Sequence, residues 1–347
     1  MRQSLPLRLP WPPPIILRAM LAITQEDFGG PELLRLTEVP DPQVGTQEVL
    51  IEVKASAVNR ADLLQRQGAY PPPPGASATL GLECSGTVVA VGDEVDEWHP
   101  GDQVCALLAG GGYAELVSVP SAQVLPLPAG IPVLDCTALP EVGCTVWSNL
   151  MIRAGLRAGQ TTLVHGGASG IGTMAIQVAK AAGAIVAVTA SRDDALRRCV
   201  ELGADVGVNY LRDDFVAALM AATDGRGADV ILDVIGAKYL QRNISALALD
   251  GSLIIIGMQG GTMAELDLGQ LMARRGAVIA TALRSRSGTG PGSKGEIVAA
   301  VRDHLWPLIA AGSVVPVIDS VFPLAEAGAA HRRMAEGGHI GKILLEV

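Results

Sequence analysis

At 347 residues, with a net charge of -9 and a pI near 5.1, this chain is long enough for about two domains and too acidic for a general nucleic-acid binder, which needs a basic face. Apolar residues at 49% and charged residues at 18% describe a globular protein with a sizeable core, and aromatics at 3% leave few platforms for stacking bases. The five cysteines, Cys84, Cys105, Cys136, Cys144 and Cys199, have no paired spacing and read as reduced, mostly buried thiols of a cytoplasmic protein.

Residues 1–19 stand apart, with Pro6, Pro10, Pro12, Pro13 and Pro14, three arginines and no acidic residue. The apolar run Ile15-Ile-Leu17 is far too short to span a membrane or to form a signal h-region, and the proline density opposes the amphipathic helix of a transit peptide. This segment reads as a disordered extension, or as sequence ahead of a start at Met20.

From Met20 to about Pro140 the pattern is short strands, such as 48–54, 86–91 and 113–119, broken by the turn sequences Pro71-Pro-Pro-Pro-Gly75, Gly92-Asp93 and Pro100-Gly-Asp102. An irregular, mostly antiparallel β domain is expected there. The pattern then changes. The apolar run 161–164 breaks into the glycine-dense turn His165-Gly-Gly-Ala-Ser-Gly-Ile-Gly172 and leads into an amphipathic helix at 174–180 and a strand at 184–189. Strand, tight glycine turn and helix form a dinucleotide cradle: glycines admit the backbone to a pyrophosphate, and the first helical amides and the dipole favour its charge. Gly167, Ser169, Gly170, Ile171 and Gly172 are the candidate contacts. The Ser169 hydroxyl either donates to the pyrophosphate or stabilises the turn.

Alternation continues with a helix at 193–202, a strand at 206–208, a helix at 213–222 and strands at 229–234, 252–256 and 277–281. Continuous Val/Ile/Leu runs of this kind belong to a parallel sheet covered on both faces, which makes this an α/β protein of doubly wound type. Beyond Ser287 a helix at 296–310, a strand at 314–317 and a terminal strand at 341–346 are expected to return and complete the first domain.

Cofactor choice is read at the tip of the second sheet strand, which carries Ser191 and Arg192 and no carboxylate. An arginine fork there suits a 2′-phosphate, so NADPH is expected ahead of NADH. Asp193 and Asp194 disfavour a nearby anion, but they suit a first helical turn, with Ser191 and Asp194 as a capping box. Gly257 and Met258, before Gln259, end a parallel strand at the ligand-binding edge and offer backbone groups to a nicotinamide carboxamide. Lys342 either reaches the cofactor from the returning strand or lies on the surface.

These landmarks, with Val58-Asn-Arg-Ala-Asp62, Tyr70-Pro-Pro-Pro73, Gly81-Leu-Glu83, Leu139-Pro-Glu141, Leu202-Gly-Ala204, Asn209-Tyr210, Leu283-Arg-Ser-Arg286 and Ile340-Gly-Lys342, carry a resemblance. From Met20 onward the chain resembles the zinc-free quinone oxidoreductase branch of the medium-chain dehydrogenase/reductase superfamily, closest to its p53-inducible subgroup. The resemblance implies a GroES-like catalytic domain over 20–140, completed by 287–347, around a Rossmann NADP-binding domain over 141–286. It places the active site in the cleft between them and implies a homodimer joined through 277–283.

Zinc members of that superfamily carry a cysteine where this chain has Asn59 and a histidine where it has Leu82, which has no donor atom, so no metal is expected. By the same resemblance Thr145 contacts the nicotinamide, Tyr210 lies beside the adenosine phosphate, and Asn59 and Tyr70 line the substrate side. Asp62 orients them or caps a helix. Ala195, where relatives commonly place a lysine, is a departure. The implied activity is NADPH-dependent hydride transfer to a quinone, where positioning does most of the work. An enoyl reductase, with Tyr70 as its only plausible proton donor, and a slowly turning NADPH-binding protein of crystallin type are the other readings.

Overall fold

The computed structural model describes residues 19–347; the expectation for 1–18 lies outside the described residues, and Ala19 opens the first strand. Among the described residues, fifteen strands fall into three sheets. In chain order they are β1 (Ala19–Thr24), β2 (Arg35–Pro40), β3 (Glu48–Val58), β4 (Glu83–Val91), β5 (Gln103–Leu107), β6 (Leu116–Pro120), β7 (Val124–Pro126), β8 (Thr161–His165), β9 (Ile185–Ala190), β10 (Val206–Asn209), β11 (Ala228–Asp233), β12 (Leu247–Ile255), β13 (Ala277–Ala280), β14 (Ile318–Pro323) and β15 (Lys342–Glu346). The α/β architecture is as expected, with a mostly antiparallel domain beside a parallel, doubly wound one.

The parallel sheet has the order β10-β9-β8-β11-β12-β13. All five residues of β8 are buried, as a strand covered on both faces requires. One face packs through Val164, Val188, Leu232 and Ile254 against the helix Gly170–Ala181 and the helical runs 140–153 and 294–310. The other packs through Leu163, Ala187 and Ile231 against the helices Phe215–Ala222 and Leu240–Ala246. The run 294–310 contributes Ile297, Val301, Leu305 and Ile309 to a cluster that also contains Cys105, Leu107 and Leu125, so it sits at the seam of the two domains.

In the first domain β3 is the spine. One edge pairs with β4 from Val49 to Ser56, while on the other its start pairs with β6 and its end with the C-terminal β15. The register sets Ile343 opposite Val58 and Cys84 opposite Ser56, which brings Lys342, Asn59 and Glu83 to one end of the sheet. Three expectations need correction. No strand forms at 314–317: the Gln177 side chain binds both the N–H and the carbonyl of Val315, at 2.8 and 3.1 Å, and the strand begins at Ile318. A further helix, Ala327–Glu336, follows; its buried face is Ala327, Ala330, His331 and Met334. The third concerns the helix at 193–201. Its N-cap is Arg192, with no side-chain cap bond, and the Ser191–Asp194 box does not form because the Arg192 fork holds the Asp194 carboxylate.

Candidate active site

The glycine turn lies where β8 ends. Ser169 caps the helix Gly170–Ala181: its hydroxyl accepts from the Gly172 amide at 3.0 Å and donates to the Gly166 carbonyl at 2.8 Å. The hydroxyl proton therefore serves the turn. Capping at Gly172, with the Gly170 amide turned to the Gly341 carbonyl in a parallel bridge, leaves the Ile171 amide without an acceptor among the described residues, as a helix start does. Gly167 and Gly172 have no room for a side chain. A Cβ on Gly172 would lie 2.3 Å from the Gly166 carbonyl oxygen, and one on Gly167 would lie 2.8 Å from the Val188 Cβ. The open Ile171 amide at a helix start, in a cradle that a methyl group would fill, fits a pyrophosphate.

The returning chain seals this turn to the other domain. The Gly341 amide donates to the Ala168 carbonyl at 2.8 Å, and a Cβ on Gly170 would meet the Lys342 stem at 2.5 Å. Lys342 is not on the surface. It is 4% exposed, and its ammonium donates to Asn59 Oδ1 at 2.6 Å and to Glu83 Oε1 at 2.7 Å. Asn59 Nδ2 donates to the same Glu83 oxygen at 2.9 Å, and Glu83 Oε2 accepts from the Glu141 amide at 2.8 Å. Asn59 is thus brought together with Lys342 and with two carboxylates that reading the sequence left out of the site, Glu83 and Glu141. Both stand in motifs whose resemblance was noted, Gly81-Leu-Glu83 and Leu139-Pro-Glu141; a lone acid amid apolar neighbours was the signal. Among the described residues, no three His, Cys, Asp or Glu side chains form a group able to hold a metal ion.

Asp62 works as scaffold. It is fully buried, one oxygen accepts from the Asn59 amide at 2.8 Å and the other from the Gly81 amide at 3.0 Å. Burial pushes its carboxyl up to about 6, against those two bonds and the nearby Lys342 charge. Tyr70 is half-buried under the Arg284 guanidinium, whose carbon lies 5.4 Å from the ring centre. Arg284, also absent from the expected site, comes from the segment after β13 and crosses the cleft to Gln65 Oε1 at 2.6 Å and the Ala109 carbonyl at 2.8 Å. Its motif, Leu283-Arg-Ser-Arg286, marked it. Burial also raises the Tyr70 phenol, an effect Arg284 opposes and Glu141 reinforces.

Thr145 lies on the helix Pro140–Val146 and its hydroxyl donates to Glu141 Oε1 at 3.1 Å. A π-helical turn, Trp147–Arg153, follows, and Ser148 and Asn149 there take up the Thr145 carbonyl. At the opposite end of the turn, Ser191 and Arg192 follow β9. Arg192 makes a two-pronged pair with Asp194 at 2.9 and 2.7 Å and donates to the Gly338 carbonyl at 2.7 Å. It lines a groove of about 720 Å³ with Arg197, Arg198, Arg333 and Asp319. Tyr210 follows β10, 40% exposed, with its amide on the Ala190 carbonyl at 3.1 Å. Gly257 and Met258 follow β12 at the same carboxyl edge, Gly257 packed so closely that a Cβ would meet the Val234 carbonyl oxygen at 3.0 Å.

The pattern of the alcohol dehydrogenase GroES-like domain matches residues 45–129, and that of the zinc-binding dehydrogenase matches residues 170–293. A quinone oxidoreductase of Rattus norvegicus is 31% identical over 94% of this chain and 98% of its own length. The crystal structure of Escherichia coli quinone oxidoreductase complexed with NADPH superposes with a TM-score of 0.85 at 28% identity, covering 94% of this chain and all of that one (100%). A mycobacterial protein complexed with NADPH superposes with a TM-score of 0.86 at 29% identity and the same coverage, 94% and 100%.

Proposed function

This chain belongs to the quinone oxidoreductase branch of the medium-chain dehydrogenase/reductase superfamily, and from that premise we propose that it reduces quinones with NADPH and without a metal ion. The observation that carries the metal-free reading is the ammonium of Lys342, held between Asn59 Oδ1 and Glu83 Oε1. A fixed positive charge there satisfies the acceptors that a cation would otherwise need.

The residues present fit a dinucleotide. The Ile171 amide at the helix start would hold its pyrophosphate, with Gly167, Gly170 and Gly172 leaving room for it and Ser169 fixing the turn, Thr145, Gly257 and Met258 at the nicotinamide, and Ser191, Arg192 and Tyr210 at the adenosine end. Bound NADPH supplies the hydride. Arg192 at the edge of the 720 Å³ groove supports a 2′-phosphate, although Asp194 must yield its fork and Arg198 and Arg333 there are already paired with Glu201 and Asp319. On the substrate side, Tyr70 positions the acceptor by hydrogen bonding with Arg284 fixing it from above, while Asn59, its amide engaged by Lys342, Glu83 and Ala57, acts by holding Lys342 in place. Asp62 keeps the Asn59 backbone in place. Positioning and preset dipoles meet what hydride transfer to an electron-poor ring needs.

Two further readings accompany this one. A homodimer joined through β13 is supported by the position of that strand at the sheet edge and by exposed Met263, Leu268 and Met272 beside it. Five buried free thiols support a reducing, cytoplasmic setting, and among the described residues no helix is long and apolar enough to cross a membrane.

The test is turnover of a quinone panel beside crotonyl thioesters, each with NADPH and with NADH, followed by cofactor absorbance. Quinone reduction with NADPH preferred is the expected result. Faster thioester reduction would make this an enoyl reductase, and tight NADPH binding without turnover would make it a binding protein.

A further inference from the structure

The three carboxyl groups of the cleft differ in what their oxygens can still do. Asp62 has both oxygens on backbone amides and no exposure. Glu83, equally buried, holds Lys342 and Asn59 on one oxygen and the Glu141 amide on the other. Both are committed acceptors. Glu141 is half-buried, and among the described residues its only side-chain hydrogen bond is the one from the Thr145 hydroxyl at 3.1 Å. One oxygen remains open, and water can reach the group.

We propose that Glu141 holds the proton taken up by the reduced quinone and delivers it through the Thr145 hydroxyl. This rests on the quinone-reductase reading above. The reduced nicotinamide is the source of the hydride and its electron pair. The quinone oxygen left negative forms an O–H bond with the Thr145 proton, and the Thr145 oxygen takes the Glu141 proton as the carboxyl O–H bond breaks. Glu141 ends as a carboxylate and recovers a proton from water on its exposed side. A hydroxyl donates and accepts at once, so Thr145 can pass a proton without changing charge.

The electrostatics favour the same group. Facing Glu141 are Lys342 from β15, Glu83 from β4, Asp62 from the helix Arg60–Arg66, Tyr70 from the loop beyond it, and Thr145 and Cys144 from its own helix. Lys342 compensates one of three carboxyls. Burial, then repulsion from Glu83 and Asp62, pushes the Glu141 carboxyl up to about 7, against the pull of Lys342 and Thr145. An acid near the working pH is what proton delivery requires. The acid form must be present, so the rate falls as pH rises through that value.

The experiment uses the whole enzyme with Glu141→Gln, which keeps the shape and the Thr145 contact but has no proton to release, and with Thr145→Val. Infrared difference spectra of the wild type should show a carboxyl band that titrates near pH 7 and is missing from Glu141→Gln. In single turnover the wild-type quinone rate should fall about tenfold per pH unit above the titration and show a solvent isotope effect. Both variants should be at least about tenfold slower at pH 6, pH-independent and free of the isotope effect, with NADPH affinity unchanged in Glu141→Gln. Wild-type rates and pH dependence in Glu141→Gln would overturn the assignment. If neither variant folds, the wild-type spectrum decides: no carboxyl titrating between pH 6 and 8 overturns it. A wild type that reduces no quinone would instead defeat the functional reading beneath it.

Discussion

Lys342→Met is expected to cost the folded protein about 3 to 5 kcal/mol, the scale for stripping the partner from a buried ion pair. Glu83 is fully buried and Lys342 nearly so, at 0% and 5% side-chain exposure, so no water can replace the lost ammonium. The loss reaches further than one pair. The same ammonium draws down the carboxyls of Asp62 and Glu141, which already stand at about 6 and about 7. Without it both rise further. A carboxyl raised in the folded state favours folding at low pH and withdraws that support as pH climbs through the raised value, so the deficit of Lys342→Met should widen from pH 5 to pH 8. Urea unfolding at several pH values measures this. The double variant Lys342→Met with Glu83→Gln should recover much of the loss, because it removes the fully buried carboxylate that the lost ammonium paired. A single variant as stable as wild type would mean that the pair is not buried as described.

Gly172→Ala should weaken NADPH binding by at least about tenfold, or about 1.4 kcal/mol. The new methyl would lie 2.3 Å from the Gly166 carbonyl oxygen and 2.5 Å from the Gly167 carbonyl carbon. Both are backbone atoms of the turn, so relief opens the cradle itself. Gly288→Ala is the control: nothing lies within 4 Å of its Cβ position, and affinity should stay put. Fluorescence titration with NADPH checks both. Unchanged affinity in Gly172→Ala would place the pyrophosphate elsewhere.

The parallel sheet was legible because its signals are local: buried strands read as unbroken apolar runs, and the glycine turn fits between one strand and its helix. The helix Ala327–Glu336 was missed because its buried face is built of Ala327, Ala330, His331 and Met334, correctly spaced but mostly too small or polar to show as an apolar stripe. The Ser191–Asp194 box failed because a neighbouring arginine competes for the same carboxylate. At the site, Asn59 and Tyr70 were picked out by resemblance. The roles of Lys342 and Glu83 were not, because they depend on β15 pairing with the end of β3, a register between segments far apart in the chain. Arg284 needed the cleft itself, since its partners lie in the other domain.

The most direct test of a metal-free reductase is NADPH:quinone turnover before and after exhaustive chelation, with zinc per subunit measured on the same sample. Equal turnover and no stoichiometric zinc are expected, since Lys342 already fills the acceptors of Asn59 and Glu83. One tightly held zinc per subunit, whose removal abolishes turnover and whose return restores it, would contradict the account.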